Sequence, residues 1–572
     1  MVKKIELLAP AGSMANLKAA VSKGADSVYL GMQQFSARQF ATNFNEEFLK
    51  EAVKICHSNN VKVYLAMNTL IKNSEINNFF RQLNIAYLLG VDAVIVQEYS
   101  LINPIKASFP GLDIHISTQS GVLNSAQANL LEEADSITLA RELTKEEISI
   151  IRKNFSKKLE IFCHGALCVC ISGSCLFSSL LGGRSGNRGR CAQPCRKKYD
   201  NCFYLSTKEL CLIKQLPEIA KIGVDIIKIE GRMRTPYYVA TVTEAYRKSI
   251  DDYYKGQFDI TKETLNKLES AFTRDFTEGW FSDSKDMFNT QKATGISNPD
   301  NIKETYFVSS TNIEPKRKKS ELIIPKIKNN LLNEKKLLVR VYSKKDAVAA
   351  SNAGADIIYL DIFHENFVEI KKSISCKLFA FTPRIMLDSD IPKILNLIKE
   401  KKPDGLFLGN IGLLNQNIDL PIHLDYNCNC FNDLDVNYFS EKKCLPIISP
   451  ELSLGELKNF RDKRFIAFVH GKIRLMTLRQ NFTKEKIKDE KAANFLIKKI
   501  YNGSEIINEK ELGLLSKTKQ LLESGINHFF VDTDKNVEEI VSFYRRILDK
   551  KQAEDSKLKK NYVLGWAYRG VY

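Results

Sequence analysis

Residues 5–30 read IELLAPAGSMANLKAAVSKGADSVYL. A short apolar run, Ile5–Ala9, stops at a Pro–Gly turn. Met14–Lys23 then carries apolar residues at helical spacing, and Gly24-Ala25-Asp26 leads into a second β-rich run, Ser27–Leu30. The order is strand, helix, glycine-ended turn, strand. Outward from this unit the pattern recurs. Further candidate strands are Lys62–Met67, Ala93–Val96, Asp113–Ile116, Ser136–Ala140, Leu159–Phe162 and Asp225–Ile229, most separated by helical patterns such as Glu46–Ser58. Two of these strands are preceded by the same signal, LGVD before Ala93 and IGVD before Ile226. Eight strands with helices between them predict an α/β fold, a TIM-like (β/α)8 barrel over residues 1–283. A doubly wound open sheet is the alternative, because strand order is not written in the pattern.

In a barrel, the residues that follow each strand line the reactive face. Those positions carry Tyr29, Asn68, Gln97 and Glu98, His115 with Thr118 and Gln119, Arg141 and Glu142, His164, and Glu230 with Arg232 nearby. His115, His164 and Glu230 are the candidate acid/base groups. Asn68, Glu98, Gln119 and Arg232 are candidate substrate-binding groups, Arg232 as a fork for a carboxylate or phosphate. The plainer reading of each is a strand-end hydrogen bond or an ion pair.

After the seventh strand comes a dense cysteine region. Eight of the thirteen cysteines lie in residues 163–211. Cys168, Cys175, Cys191 and Cys195 leave gaps of six, fifteen and three residues, with Gly173, Gly182, Gly183, Gly186 and Gly189 between them. Four thiolates on a glycine-rich loop fit an iron–sulfur cluster or an all-thiolate zinc site. Disulfides or buried apolar thiols are the alternatives. Cys163, Cys170 and Cys202 are extra.

At 572 residues the chain needs more than one core. The start, MVKKIELLAPAG, lacks the long apolar core of a signal peptide, and no apolar run reaches the length of a membrane span. The expectation is a cytoplasmic protein, where clustered cysteines favour metal over disulfide. The formal charge of +17 biases the surface toward polyanions, RNA foremost, although a lysine-rich solvated surface accounts for it equally.

Residues 284–335 are polar, charged and turn-rich, and read as a linker or irregular insertion; the basic run Lys316–Lys319 is read as a solvated face. From 336 to 572 the first domain recurs. Gly24-Ala25-Asp26 returns as Gly354-Ala355-Asp356, Ile114-His115 as Ile422-His423, Asn124 as Asn432, and Phe162-Cys163-His164-Gly165 as Phe468-Val469-His470-Gly471. Landmarks in the same order predict a second, degenerate barrel-like repeat. The metal constellation is lost there: the positions of Cys168 and Cys175 fall near Arg474 and Asn481. Cys376, Cys428, Cys430 and Cys444 read as structural thiols, with a weaker metal reading for the Cys428-x-Cys430 pair. A charged helix, Asn536–Leu548, and a lysine-rich tail through Lys560 precede the closing GWAYRGVY, which echoes Gly279–Phe281.

Glu160, Phe162, Gly165, Ala166, Cys168, Gly173, Cys175 and Ser178 fit the signature E-x-F-x-x-G-(S/A)-x-C-x4-G-x-C-x-x-S. With NRGRCAQPCRKKY, LSTKELCLI and KIEGRMRTPYYVA, this sequence resembles peptidase family U32 over residues 1–283. The resemblance implies a TIM-like barrel with a 4Fe-4S cluster. It also implies RNA chemistry: 5-hydroxylation of a 23S rRNA cytidine or of a tRNA wobble uridine, with prephenate as the small-molecule hydroxyl donor. The two-part length is similar to the rRNA-modifying members. Carried over, Cys168, Cys175 and Cys191 are cluster ligands, with Cys195 as the fourth and Cys211 as the alternative. Two other functions stay open, a peptidase of the collagenase kind and a non-catalytic Fe–S or RNA-binding assembly factor. No H-E-x-x-H or G-x-S-x-G motif supports proteolysis.

Overall fold

The computed structural model describes residues 4–284, 286–291, 306–310, 317, 319–550 and 562–572. The first ten strands are β1 Glu6–Pro10, β2 Ser27–Leu30, β3 Lys62–Ala66, β4 Ala93–Val96, β5 Asp113–Ile116, β6 Ser136–Thr138, β7 Lys158–Ala166, β8 Glu209–Cys211, β9 Ile226–Ile229 and β10 Phe276–Thr277. β1 to β7 pair in sequence order, all parallel, and β9 pairs with both β7 and β1. The sheet therefore closes into an eight-stranded barrel, and the open-sheet alternative is set aside.

The G-x-D signals have a shared physical role. Asp26, Asp92 and Asp225 each accept the backbone amide at the start of the neighbouring strand, from Leu7 (2.8 Å), Val63 (2.7 Å) and Leu159 (2.9 Å). Each carboxylate thus pins strand register at the barrel's N-terminal end. Gly24 ends its helix at φ +83°, and an added Cβ would meet the Arg247 side chain at 2.8 Å. That arginine binds Asp26 in turn, at 3.0 Å.

β7 outruns the expected strand. A bulge between Phe162 and His164 lets it continue to Ala166, where it pairs antiparallel with β8, a strand the sequence reading did not assign. Gly165 sits at φ +105° because a Cβ there would lie 2.4 Å from the Glu230 carbonyl oxygen.

The second half repeats this plan. β11 Lys336–Arg340, β12 Ile357–Asp361, β13 Lys377–Phe381, β14 Gly405–Leu408, β15 Ile422–Leu424, β16 Cys444–Pro446 and β17 Ala467–Gly471 are joined later by β22 Leu512–Gly513 and β23 His528–Asp532. β23 lies between β11 and β17, and a single bridge, Ile447 to Ile466, brings β16 against β17. The bulge recurs between Phe468 and His470, and Gly471 recurs at φ +129°. Asp356 accepts from Leu337 (2.6 Å) and Arg545 (2.9 Å), as Asp26 does from Leu7 and Arg247. Where the first copy carries cysteines, the second inserts an antiparallel sheet: β18 Arg474–Leu478, β19 Lys486–Lys488, β20 Asn494–Ile500 and β21 Gly503–Asn508. The described part of 284–335 holds no helix and only isolated bridges. Lys316, Lys318 and the tail 551–561 lie outside the described residues. No described helix is long and apolar enough to cross a membrane.

The two barrels meet mouth to mouth, and their contacts are exchanged in pairs. Asn124, capping a helix after β5, donates to the Met386 carbonyl (2.8 Å) and to Asn410 Oδ1 (3.3 Å). Its counterpart Asn432 donates to the Ile71 carbonyl (3.0 Å) and Glu98 Oε2 (3.0 Å). Ser125 N donates to Asp388, and Asp433 N to Asn73. Measured from their strands, Ile71 and Met386 are equivalent, as are Glu98 and Asn410. The interface thus has the logic of a two-fold dimer within one chain. Glu98, expected to bind substrate, is instead buried in this interface, where burial and the neighbouring Asp435 raise its pKa. Replacing Asn432 with Ala removes a helix cap and leaves Glu98 and Ile71 short of a donor. The expected loss is about 2–4 kcal/mol, read as a lower denaturant midpoint. Asn437→Ala, on the same helix but bonded only to Glu441, should change it far less.

Candidate active site

The C-terminal mouth of the first barrel opens into a cavity of about 250 Å³. Its floor is set by β2, β7 and β9. Lys228, in the middle of the apolar β9, is 4% exposed and points inward. It pairs with Glu160 at 2.7 Å and lies over the rings of Tyr29 (4.5 Å) and Phe162 (5.5 Å). Burial works to raise the Glu160 carboxyl, but Lys228 and His115 overcome it and hold the pKa near 2. Tyr29 donates to the Ile229 carbonyl at 2.9 Å and reaches Glu230 at 3.3 Å. Glu230, at the end of β9, receives Arg38 at 3.0 Å. Burial opposes its charge, yet Arg38, Arg141 and Arg232 hold its pKa below the usual value.

The wall carries Arg38, Arg141, Arg196, Lys228 and Arg232 against one carboxylate, Glu230. Arg232 is 3% exposed, and burial lowers its pKa to about 10; its Nε has no partner. Gln119 and Asn68 also line the cavity. Asn68 spends its amide on structure, accepting from Ala37 N (3.1 Å) and donating to Ser117 (3.2 Å).

Cys168, Cys175, Cys191 and Cys195 all line the same cavity, and none of the thirteen cysteines is in a disulfide. The loop's glycines permit the approach. Gly173 takes φ +83°, and a Cβ there would overlap the Gln119 carbonyl oxygen at 1.8 Å. Ser178 ties the loop across itself, donating to the Arg184 carbonyl (2.6 Å) and accepting from Ala192 N (2.8 Å). Burial raises the thiols of Cys168, Cys191 (to about 11) and Cys195. Arg141, Arg38 and Arg196 respectively act in the opposite sense. Cys175 alone is lowered, by a hydrogen bond with Cys170. The Gln193 amide points at Cys191 Sγ, 3.3 Å away. Thiols that are half-buried, or exposed at Cys191, with guanidiniums near them and a backbone N–H on sulfur suit a thiolate-bound group. Among the described residues no three His, Cys, Asp or Glu side chains converge closely enough to hold a single ion. The four thiols share one cavity without forming such a set. Cys211, on β8 against Tyr246, does not line the cavity. Cys428 lines a separate small cleft between the barrels, and Cys430 is buried.

Two expected acid/base groups are misplaced. His115 is fully buried beneath the floor, against Tyr64 (4.6 Å) and 3.8 Å from Glu160. His164 does not line the cavity: past the bulge its ring packs against Tyr238, Tyr246 and Phe276. Neither is placed to touch a substrate. The sequence reading missed Arg38, Lys228 and Arg196. Lys228 had a signal, a lone charge in the run IIKI. Arg38 had a fainter one, the unusually long loop between β2 and the helix Glu46–Ser58. Met476, on β18, lines the cavity from the second barrel and had none.

The sequence model of peptidase family U32 matches residues 12–291 and 364–564. The chain belongs to that family. An uncharacterised protease of Methanocaldococcus jannaschii is 38% identical over 303 residues, 49% of this chain and 74% of that protein. The tRNA hydroxylation protein P1 of Bacillus subtilis is 35% identical over 302 residues, 49% of this chain and 72% of that one. The 23S rRNA 5-hydroxycytidine C2501 synthase of Escherichia coli is 32% identical over 298 residues, 50% of this chain and 45% of its own length. A U32 peptidase of known structure aligns at 18% identity with a TM-score of 0.31, over 40% of this chain and 94% of that one.

Burial lowers the pKa of His164 to about 3, against an ordinary 6.5. The unfolded chain therefore takes up a proton near pH 6.5 that the folded chain refuses until pH 3. The associated stability is complete above pH 6.5 and is lost as pH falls. At pH 5 the loss is about 2 kcal/mol. His164→Phe, similar in size and set among aromatics, should show a smaller drop in denaturant midpoint between pH 7.5 and pH 5 than the unmodified protein.

Proposed function

We propose that this U32 protein hydroxylates C5 of a pyrimidine base in RNA, with a 4Fe-4S cluster held by Cys168, Cys175, Cys191 and Cys195. One observation carries the reading: four cysteines line the same barrel-mouth cavity as Tyr29, Glu230 and five cations. When bound, the cluster supplies electron transfer at the cavity wall. Four cysteine thiolates are the ligand set of a 4Fe-4S cluster, and these four share one cavity wall. Cys195 is preferred to Cys211 as fourth ligand because it faces the cavity.

Replacing C5–H with C5–OH removes two electrons from the base, so the oxygen donor leaves reduced. Prephenate, a dicarboxylate, is the proposed donor. The unpaired Nε of Arg232 and the guanidinium of Arg141 suit its carboxylates. The base must leave its stack to reach such a site, and relatives named for tRNA and rRNA hydroxylation support RNA as the substrate. A 23S rRNA cytidine is placed ahead of a tRNA uridine. The matched stretch is 45% of the rRNA enzyme but 72% of the tRNA protein. The rRNA enzyme is therefore the longer of the two, as this two-barrel chain is long.

Relatives named protease and collagenase point to peptide hydrolysis as a second reading. The cavity gives it little: among the described lining residues there is no histidine to activate Ser172 or a thiol.

Nucleoside mass spectrometry of rRNA and tRNA from a strain lacking this protein tests the proposal. The expected outcome is loss of 5-hydroxycytidine from 23S rRNA, restored by the full chain and not by Cys168→Ala. Intact hydroxycytidine and hydroxyuridine would sink the reading. Anaerobically purified protein should carry about four irons and four sulfides, reduced by Cys195→Ala and retained in Cys211→Ala.

A further inference from the structure

The lip of the cavity carries a side chain that neither the cluster nor the donor uses. Phe40 is 59% exposed and lines the cavity, together with Met233 at 55%. A single exposed aromatic is ordinary. This one is paired: the Arg184 guanidinium lies 4.9 Å from its ring centre. Both belong to segments locked in place. The Phe40 loop is held by Arg38 on Glu230 and by Asn43, which donates to the Arg38, Gln39 and Ala41 carbonyls. Arg184 Nε donates to the Arg190 carbonyl (3.0 Å), and Arg190 Nε to Gln39 Oε1 (2.8 Å). Gly189, at φ +80°, closes the seam, where a Cβ would meet the Ser36 carbonyl oxygen at 2.2 Å. The rim is thus one preorganised unit built from the β2 loop and the cysteine loop.

Its charge is unbalanced. Arg184, Arg190, Lys197 and Lys198 are exposed, and none forms an ion pair with an acid among the described residues. Lys198 lies 5.6 Å from the Phe203 ring. Cations interleaved with open aromatic faces bind unpaired nucleotides: the ring takes a base by stacking and the cations take flanking phosphates.

Resting on the RNA reading above, we infer that Phe40, backed by Arg184, is the stacking platform for an unpaired nucleobase at the cavity mouth, with Arg190, Lys197 and Lys198 taking the phosphates beside it. The rim therefore selects a loop or single strand over a duplex. The full, cluster-loaded chain is titrated with a labelled RNA hairpin carrying a pyrimidine-containing loop, and with a blunt duplex of the same length. The hairpin should bind more tightly. Phe40→Ala should weaken hairpin binding about tenfold and leave duplex binding and iron content unchanged, while Phe40→Trp restores affinity. Arg184→Glu with Arg190→Glu should flatten the salt dependence of hairpin binding by about one to two ions. Unchanged hairpin affinity in Phe40→Ala, or equal loss in Phe40→Trp, overturns the platform while leaving the hydroxylase reading intact if Cys168→Ala still abolishes the modified nucleoside. Failure of the unmodified chain to bind either RNA, with no change in cellular nucleosides, overturns both.

Discussion

The cysteine loop belongs to the first barrel by sequence and is hydrogen-bonded to both, through Arg188 to Glu75 and Arg190 to Gln39 on one side and to the second barrel on the other. Ile171 N donates to the Thr477 carbonyl (2.9 Å) and Leu176 N to the Leu475 carbonyl (2.8 Å), so the loop docks on the edge of β18. Asn429 donates to the Gly173 carbonyl, Trp566 to that of Ser179, and Tyr572 N to that of Gly183. A long, glycine-rich segment has much backbone entropy to lose on ordering, and its own short helical turns cannot fix four thiols at once. The second barrel supplies the fixed edge. Its contribution to the site is positional, apart from Met476, which lines the cavity.

The exchanged pairs Asn124 with Met386 and Asn410, and Asn432 with Ile71 and Glu98, show how that edge came to face the loop. Two copies meeting mouth to mouth place each copy's insertion after β7, or after β17, against the other. The insertions have diverged. One became the cysteine loop, the other the sheet β18–β21, and they pack together. The mouths diverged too. Asp532 stands where Glu230 stands in the first copy. It is gripped by Arg474, which also binds Glu505 (2.9 Å), while Arg384 binds Asp425 (2.8 Å). These charges are nearly fully buried and mutually paired, so they form a network that costs much to break.

Much of this was legible in the residues. The G-x-D signals are visible because they act locally, on the next strand's register, and the repeat is visible because those signals recur with Asn432 and Gly471 in order. The four cysteines that come to line one cavity are visible as a group because spacing and glycine content are sequence properties. The histidines misled for a physical reason. A bulge after Phe162 changes which way the following side chains point, so His164 turns to Tyr246 rather than to the cavity. Glu98 misled because a barrel mouth met by another barrel is an interface, and nothing along one strand announces what will cover it. Arg38 and Met476 reach the cavity from a loop and from another domain, which no periodicity encodes.

The two mouths also differ in the groups their walls carry. A buried cation needs compensation, because each buried unpaired charge is costly. The second mouth pairs Arg384 and Arg474 with Asp425, Glu505 and Asp532, while Arg340 keeps an unpartnered Nη1. The first has Glu230, paired with Arg38, on its wall and Glu160, paired with Lys228, below, while Arg141, Arg196 and Arg232 donate to Ser172, to the Leu167 carbonyl and to Ser36. Arg141, Arg38 and Arg196 each act on a different cysteine, opposing the burial that raises its thiol. Lys228 is spent on Glu160, which leaves Arg232, whose Nε has no partner. The second mouth keeps a cavity of its own, lined by Tyr342, Arg474, Lys498 and Asp532, and what separates the two is the four cysteines on the first wall, which have no counterpart among the described residues lining the second.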